Sequence, residues 1–513
     1  MKTLINKTMT AGWSRLAALL CGALLVFAYA PFQQSWLVIP ILTFLLWLGR
    51  NSSPRRAWHL GYLFGIGWFS AGLSWIYVSI DTFGGLPVVA TIAVLAVLFM
   101  YLSLFPALAL WAWRSAAARN WPCAIWLVPL LWYLAEWLRG TLLTGFPWLD
   151  LGYTQTDSYL GQYASWLGGT GVAVLLWYCA VAIIEYLRTR QKRYAGVAIS
   201  LLALPFLLPW LNPLERTDNE ANVLLVQGNI AQSSKWNPDQ HWPSLMTYLD
   251  LSRPNYSSHD IIVWPESAVT MPEPYTDDVL ENIHKALVQS DTALITGILD
   301  YRQFDYYNSL IALGVDGADD VEEAYYHGHS NRYEKHQLLP IGEFVPFEDI
   351  LRPLAPLFDL PMSSFSRGDY QQTNLRAKGF TLSAAICYEI AFPRQVRANL
   401  SATTDFLLTV SNDTWFGASH GPAQHMQIAR MRALELGRPL LRATNNGISA
   451  VVDETGHEIA RAPQFEEATV SAVVPVVTGT TLYARWGEWL ALWIAACGAI
   501  IGLISIVKRH QNQ

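Results

Sequence analysis

Between Leu16 and about Leu211 the chain is a succession of apolar stretches, separated by short polar or basic turns. Each is close to the roughly 20 residues that an α-helix needs to cross a bilayer. No other feature limits the fold as much. Backbone groups in hydrocarbon must be satisfied within their own segment, so stretches of this kind read as membrane helices. The candidate spans are roughly 12–31, 34–49, 57–79, 86–113, 121–143, 163–187 and 195–211, with an eighth near 485–507. Composition agrees: hydrophobic residues make up 52% and charged residues 14% of the 513, with 23 Trp, against roughly 25% charged in ordinary soluble domains. A net charge of −6 and no long basic run leave nothing to track a phosphate backbone, so nucleic acid is not an expected partner.

Lys and Arg set the expected orientation. Lys2, Lys7 and Arg15 precede the first span, Arg50, Arg55 and Arg56 separate the second and third, and Arg114 and Arg119 the fourth and fifth. Arg188, Arg190, Lys192 and Arg193 fall between the sixth and seventh, and Lys508 and Arg509 follow the last. The alternate loops carry Arg139 alone. Both termini are therefore expected in the cytoplasm, with the long segment between spans seven and eight on the far side.

The apolar region has two other readings. Residues 1–30 have a basic start, an apolar middle and Ala28-Tyr29-Ala30 in cleavage-like spacing. Pro31 and further spans follow at once, which favours an uncleaved anchor. Charges inside a membrane often mark a transport path, but Glu136, Arg139 and Glu185 lie toward span ends, where an i,i+3 pair or snorkelling accounts for them.

After Pro209 and Asn212-Pro213 the composition changes. Residues 214–483 hold most of the acids and alternate strand and helix patterns. The expected strands are 222–230, 261–264, 292–298, 308–313, 380–386, 406–410, 440–443 and 448–452. Asp277–Gln289 and Ala423–Leu436 are the expected helices, and Asp453-Glu454-Thr455-Gly456 a hairpin turn. Interleaved strands and helices predict sheets covered by helices, and about 270 residues suffice for one α/β core. The domains are thus 1–213, a transmembrane region of about seven helices; 214–483, a catalytic domain; and 484–513, a last span with a short tail.

Four of the five cysteines, Cys21, Cys123, Cys179 and Cys497, lie in apolar segments; Cys387 alone lies in the polar domain. That excludes a disulfide framework there and a cysteine-based metal site. Cys387 sits in Ala384-Ala385-Ile386-Cys387-Tyr388-Glu389-Ile390, between an apolar strand pattern and a helical one. A strand-to-helix bend holds a nucleophile out, with the N–H of Tyr388 turned toward the group under attack. Glu266 follows Trp264-Pro265 at a strand end, and Lys335 precedes Leu338-Leu339-Pro340-Ile341-Gly342-Glu343-Phe344-Val345-Pro346. Taken singly, Glu266 reads as a loop carboxylate, Lys335 as a surface amine and Cys387 as a buried thiol.

Taken together, Trp-Pro-Glu, Glu-Lys before Leu-Leu-Pro-x-Gly-Glu-x-Val-Pro, and Ile-Cys-Tyr-Glu resemble the Glu-Lys-Cys signature of the nitrilase superfamily. Val226-Gln227-Gly228-Asn229 and Ser411-Asn412-Asp413-Thr414-Trp415-Phe416-Gly417 fit it as well. With seven preceding spans and one trailing span, nearly the whole chain resembles the bacterial apolipoprotein N-acyltransferases, which Ala429–Glu435 and Arg442–Gly447 also match.

The resemblance implies a helical membrane bundle carrying an αββα nitrilase-like domain on the outer face of a bacterial inner membrane. It also implies a monomer without cofactor or metal that uses a phospholipid as acyl donor and a diacylglyceryl-cysteine lipoprotein as acceptor. Glu266 would then be the base, Lys335 the cation and Cys387 the nucleophile. Glu343 would orient or charge the site or simply pair with Lys335, Tyr388 and Glu389 would position it, and Trp236 would contact substrate or be a half-buried packing residue. The apolar, proline-broken stretch Leu351–Met362 is expected to cover the entrance as a lid or, equally, as a core-covering loop. A membrane-tethered amidase for small amides and a catalytically dead scaffold are the rival readings. The first lacks any need for an apolar entrance, and the second lacks a reason to keep the three residues intact.

Overall fold

The computed structural model describes residues 11–119, 121, 124–317, 324–340, 342–344 and 365–510. The expected lid, Leu351–Met362, lies outside them. The chain divides into two compact units, one of Met1–Tyr77, Pro87–Asn212 and Arg485–Gln513, the other of Val78–Leu86 and Pro213–Ala484.

The first unit is a bundle of apolar helices. Val88–Ala118 and Tyr159–Thr189 are each long and apolar enough to cross a bilayer, and Pro54–Gly72 with Ile76–Thr82 forms a third if that pair, bent by 61°, counts as one span. The other expected spans fall on shorter helices. Gly12–Ala28, Ser35–Gly49 and Trp489–Ile500 are apolar but below that length. The fifth contains Val128–Arg139 behind a 3-10 turn, and the seventh breaks after Lys192–Ala203 into two 3-10 turns. Hydropathy runs across such breaks without registering them, which is why the sequence suggests longer spans; Pro205 and Pro209 open the two turns that end the seventh. Glu136 and Arg139 form a buried i,i+3 ion pair, and Arg139 Nη1 donates to the Phe146 carbonyl at 2.6 Å. Glu185 pairs with Arg188 at 2.6 Å.

The expected third and fourth spans, 57–79 and 86–113, take in only the two ends of Val78–Leu86, the segment that goes instead with the second unit. There Ser79 Oγ donates to the Trp415 carbonyl at 2.7 Å, and Gly417, at φ +54°, leaves room for Val78, whose Cγ1 would lie 2.9 Å from an added Cβ.

The second unit is an αββα sandwich. One sheet runs β13 (Ala468–Thr478), β1 (Glu215–Gln227), β2 (Ile261–Val263), β4 (Ala293–Arg302), β5 (Asp305–Gly314) and β6 (Arg332–Glu334), with β3 (Val269–Pro272) beside β4. The other runs β12 (Glu458–Arg461), β11 (Ala450–Val452), β10 (Leu440–Thr444), β9 (Phe406–Ser411), β8 (Phe380–Ile386) and β7 (Leu375–Ala377).

Strand alternation decides which side chains meet. Val223 and Leu225 of β1 join Ile261, Val263, Leu382, Ala384, Leu408 and Leu441 in the core between the sheets. Leu224 and Val226 face the opposite way, onto Leu245, Leu249, Leu280, Ile283 and Leu287 of the covering helices His241–Ser252 and Asp277–Gln289. In the second sheet β8, β9 and β10 are parallel, so their carboxyl ends lie along one edge.

Candidate active site

Four strand ends supply the site. Val263 ends β2, and Pro265 and Glu266 follow it; the chain passes so close to β4 that only glycine fits at position 297. A Cβ there would lie 2.4 Å from the Ser267 nitrogen and 2.6 Å from the Pro265 carbonyl oxygen. The Gly297 N–H donates to that same carbonyl at 3.2 Å. Lys335 directly follows β6, and its N–H donates to the Asn308 carbonyl of β5 at 2.8 Å. Cys387 follows β8 and opens a 3-10 turn, Cys387–Ala391, with φ +52°. This left-handed conformation is costly for a residue with a side chain and is held only where its surroundings fix it. Asn412 follows β9.

These ends converge. Glu266 Oε1 accepts from Lys335 Nζ at 3.3 Å and from Asn308 Nδ2 at 2.8 Å, and its Oε2 accepts from the Asn412 N–H at 2.9 Å. Glu343 Oε1 accepts from Lys335 Nζ at 2.8 Å and Asn308 Nδ2 at 2.9 Å, while its Oε2 accepts from the Leu339 N–H at 2.8 Å. One ammonium and one amide therefore bridge two carboxylates. Burial favours the neutral acid at Glu266, but Lys335, Asn308, Lys235 and the Asn412 N–H outweigh it and hold the carboxyl below its usual value. Burial likewise opposes charge on Lys335, yet Glu343, Glu266 and Cys387 raise its affinity for the proton. Burial and the Glu266 charge push the Cys387 thiol up, with Lys335 opposing. The resting pattern these shifts favour is a carboxylate, an ammonium and a neutral thiol.

Glu389 joins the Cys387 turn to the Lys335 loop. Its Oε2 accepts from the Ile386 N–H at 2.7 Å and the Tyr333 hydroxyl at 3.0 Å; its Oε1 accepts from the N–H groups of His336 and Gln337 and from Gln395 Nε2, at 2.8 to 3.0 Å. Fully buried, it fastens the residue before Cys387 to the two after Lys335. Burial raises its pKa, against the opposing pull of the Ile386 and Gln337 N–H groups. Tyr388 is buried next to Cys387, and its ring meets that of Phe392 edge-on at 5.0 Å. Trp236 is half-buried after the short helix Gln232–Lys235, its ring centre 5.7 Å from Lys235 Nζ.

Three members of this network escaped the sequence reading. Asn308 is a polar residue inside an apolar strand pattern, and that is its only signal. Asn412 acts through its backbone. Lys235 sits in a polar stretch beside Trp236, yet it is buried, and its Nζ donates to the Glu266 carbonyl at 3.0 Å. Burial lowers its pKa to about 8, with Glu266 and Cys387 pulling the other way.

Among the described residues one cluster has the spacing of metal ligands: Glu273, Asp300 and His327, within 4.8 Å of one another. Arg332 already spans it, with Nη2 2.8 Å from Glu273 Oε1 and Nη1 2.9 Å from Asp300 Oδ2. Tyr325 donates to Glu273 at 2.5 Å. These contacts make it an ion-pair network.

Family comparison is consistent with both halves of the chain. The family model described as the apolipoprotein N-acyltransferase N-terminal domain matches residues 21–182, and the carbon-nitrogen hydrolase model matches residues 222–482. An apolipoprotein N-acyltransferase of Shewanella oneidensis is 46% identical over 98% of this chain and 98% of its own length. The chain belongs to the apolipoprotein N-acyltransferase family. A relative of the same name from Vibrio cholerae is 45% identical over 93% of this chain and 95% of its own. The carbon-nitrogen hydrolase match covers the strand ends that carry Glu266, Lys335 and Cys387.

Proposed function

We propose that the protein moves a fatty acyl chain from a glycerophospholipid, through a thioester on Cys387, to the N-terminal amine of a diacylglyceryl-cysteine lipoprotein. One observation carries the reading: a cysteine on a left-handed bend faces the charges of a buried carboxylate and a buried ammonium that contact each other. Family membership supplies the substrates.

In this scheme the Cys387 sulfur attacks the ester carbonyl as its proton passes to Glu266. Lys335 and the Tyr388 N–H stabilise the oxyanion. Collapse breaks the ester C–O bond, and Glu266 returns the proton to the leaving lysophospholipid alkoxide. The lipoprotein amine then attacks the thioester and gives its proton to the regenerated carboxylate. Breaking the C–S bond releases the thiolate, which recovers that proton. Glu343 holds Lys335, Glu389 fixes the turn, and Trp236 contacts substrate. Kinetics are expected to be ping-pong, without metal or cofactor.

The protein is read as a monomer in the bacterial inner membrane. Residues 1–213 and 484–513 are placed in the bilayer region, both termini in the cytoplasm and 214–483 in the periplasm, as the Lys and Arg pattern directs. Incubation with labelled phospholipid followed by intact-mass analysis tests the chemistry. A hydroxylamine-sensitive, fatty-acyl-sized adduct on Cys387, absent in Glu266→Ala, is the expected result. Turnover of small amides with no such adduct would overturn it in favour of a tethered amidase.

A further inference from the structure

Behind Cys387 lies a group of side chains that the scheme above does not use. His425, on the helix Gly421–Leu436, places Nε2 3.1 Å from the Cys387 carbonyl oxygen. Its Nδ1 lies 3.0 Å from Asp413 Oδ1 and 3.0 Å from Arg442 Nη2. Arg442 Nη2 donates to Asp413 Oδ2 at 2.9 Å, and Ser411 Oγ donates to Asp413 Oδ1 at 2.6 Å. All four residues are completely buried or within 1% of it.

A carbonyl only accepts, so Nε2 carries a proton. Nδ1 faces both an acceptor, Asp413 Oδ1, and a donor, Arg442 Nη2; in the neutral ring its lone pair takes the Arg442 N–H, and Asp413 keeps the Ser411 and Arg442 donors. An imidazolium would set a second donor against Arg442, and burial together with that guanidinium lowers the His425 pKa. The ring is neutral and points one N–H at the Cys387 carbonyl.

That carbonyl belongs to the peptide whose N–H is the Tyr388 N–H. The peptide is planar and trans, so its C=O and N–H point in opposite directions. Holding the oxygen aims the hydrogen, and a donor at the oxygen polarises the N–H at the other end. We infer that His425, braced by Asp413 and Arg442, is a positioning residue that aims the Tyr388 N–H at the oxyanion and keeps Cys387 in its left-handed bend. This rests on the acyl-transfer reading of the site. It also gives a physical task to the Ser411–Gly417 and Arg442–Gly447 motifs, which supply the brace.

The test compares two reactions of the same sulfur in the full-length protein. Thioester formation from phospholipid passes through an oxyanion; alkylation of Cys387 by iodoacetamide is a displacement that does not. His425→Leu and His425→Asn both remove the donor, the second because its amide is too short to reach, and it keeps a polar group should the first not fold. Both are expected to slow thioester formation about 10²–10³-fold while alkylation changes less than about threefold. His425→Gln, whose amide N–H reaches the same oxygen, is expected to recover at least about tenfold of the loss. Equal loss in both reactions, or no difference between Gln and Asn, would overturn the inference. A wild-type protein that is alkylated at Cys387 but never carries an acyl group would remove the acyl-transfer reading first, and the inference with it.

Discussion

Two clusters of buried charge act on Cys387 electrostatically, and they differ in how their charges are matched. Around Glu266, two carboxylates compete for Lys335 and for a single Asn308 amide, with the partly neutralised Lys235 alongside. Around Asp413, one carboxylate meets one guanidinium and a neutral imidazole, and the charges cancel. The first arrangement leaves protonation contested, which a group that takes and returns a proton requires. The second is closed and has no proton to exchange, which suits a part whose task is shape. Low dielectric strengthens both; only the first can respond to a substrate.

Substitutions in the first cluster should therefore damage chemistry more than folding. Glu266→Gln keeps the volume but cannot take a proton, and thioester formation should fall about 10³-fold, as loss of a general base does, with the melting temperature little changed. Gly297→Ala leaves Glu266, Lys335 and Cys387 all present but drives a methyl into the backbone of Pro265–Ser267; a displaced carboxylate should cost about 10²-fold in the same assay. Glu343→Gln leaves Lys335 with one carboxylate instead of two. Loss of one charge-assisted hydrogen bond predicts a drop of about tenfold.

The smallest effect is the acid dependence that the Asp413 carboxylate gives to stability. Burial disfavours the Asp413 charge, but the Arg442 guanidinium, helped by the Ser411 hydroxyl, more than offsets that and holds the carboxyl well below the usual range. Its contribution is thus complete above the unfolded-state value, about 3.9, and is lost as pH falls toward the folded-state value. Melting temperature should drop as pH is lowered below about 4, and Asp413→Asn should flatten that dependence while lowering stability at neutral pH. A variant with an unchanged acid slope would erase the contrast between the clusters.

The unequal legibility of these parts has physical causes. Phe380–Ile386 and Asp277–Gln289 stand out because burial on both faces, or on one stripe, writes itself into local periodicity. β13 does not: it alternates exposed and buried residues at a sheet edge and is defined by pairing with β1, more than 240 residues earlier in the chain. The family motifs bring Glu266, Lys335, Glu343, Cys387 and Glu389 into view. His425 and Asn308 stay hidden because each is a polar residue within a regular element, and its value comes only from what the fold sets against it. Helix breaks in the bundle are equally silent, since a 3-10 turn built of Leu, Pro and Phe is as apolar as the helix it ends.

The nine residues Val78–Leu86 make the second unit discontinuous in the gene. A soluble fragment cut at Pro213 would be made without one of its own pieces, and the Trp415 carbonyl would lose the Ser79 hydroxyl. During synthesis that piece leaves the ribosome more than a hundred residues before its partners, so it stays unpaired with them until the loop around Trp415 is made. Linking residues 78–86 back onto such a fragment is therefore the minimal repair, and proteolytic resistance of the Trp415 loop would report whether the graft has docked.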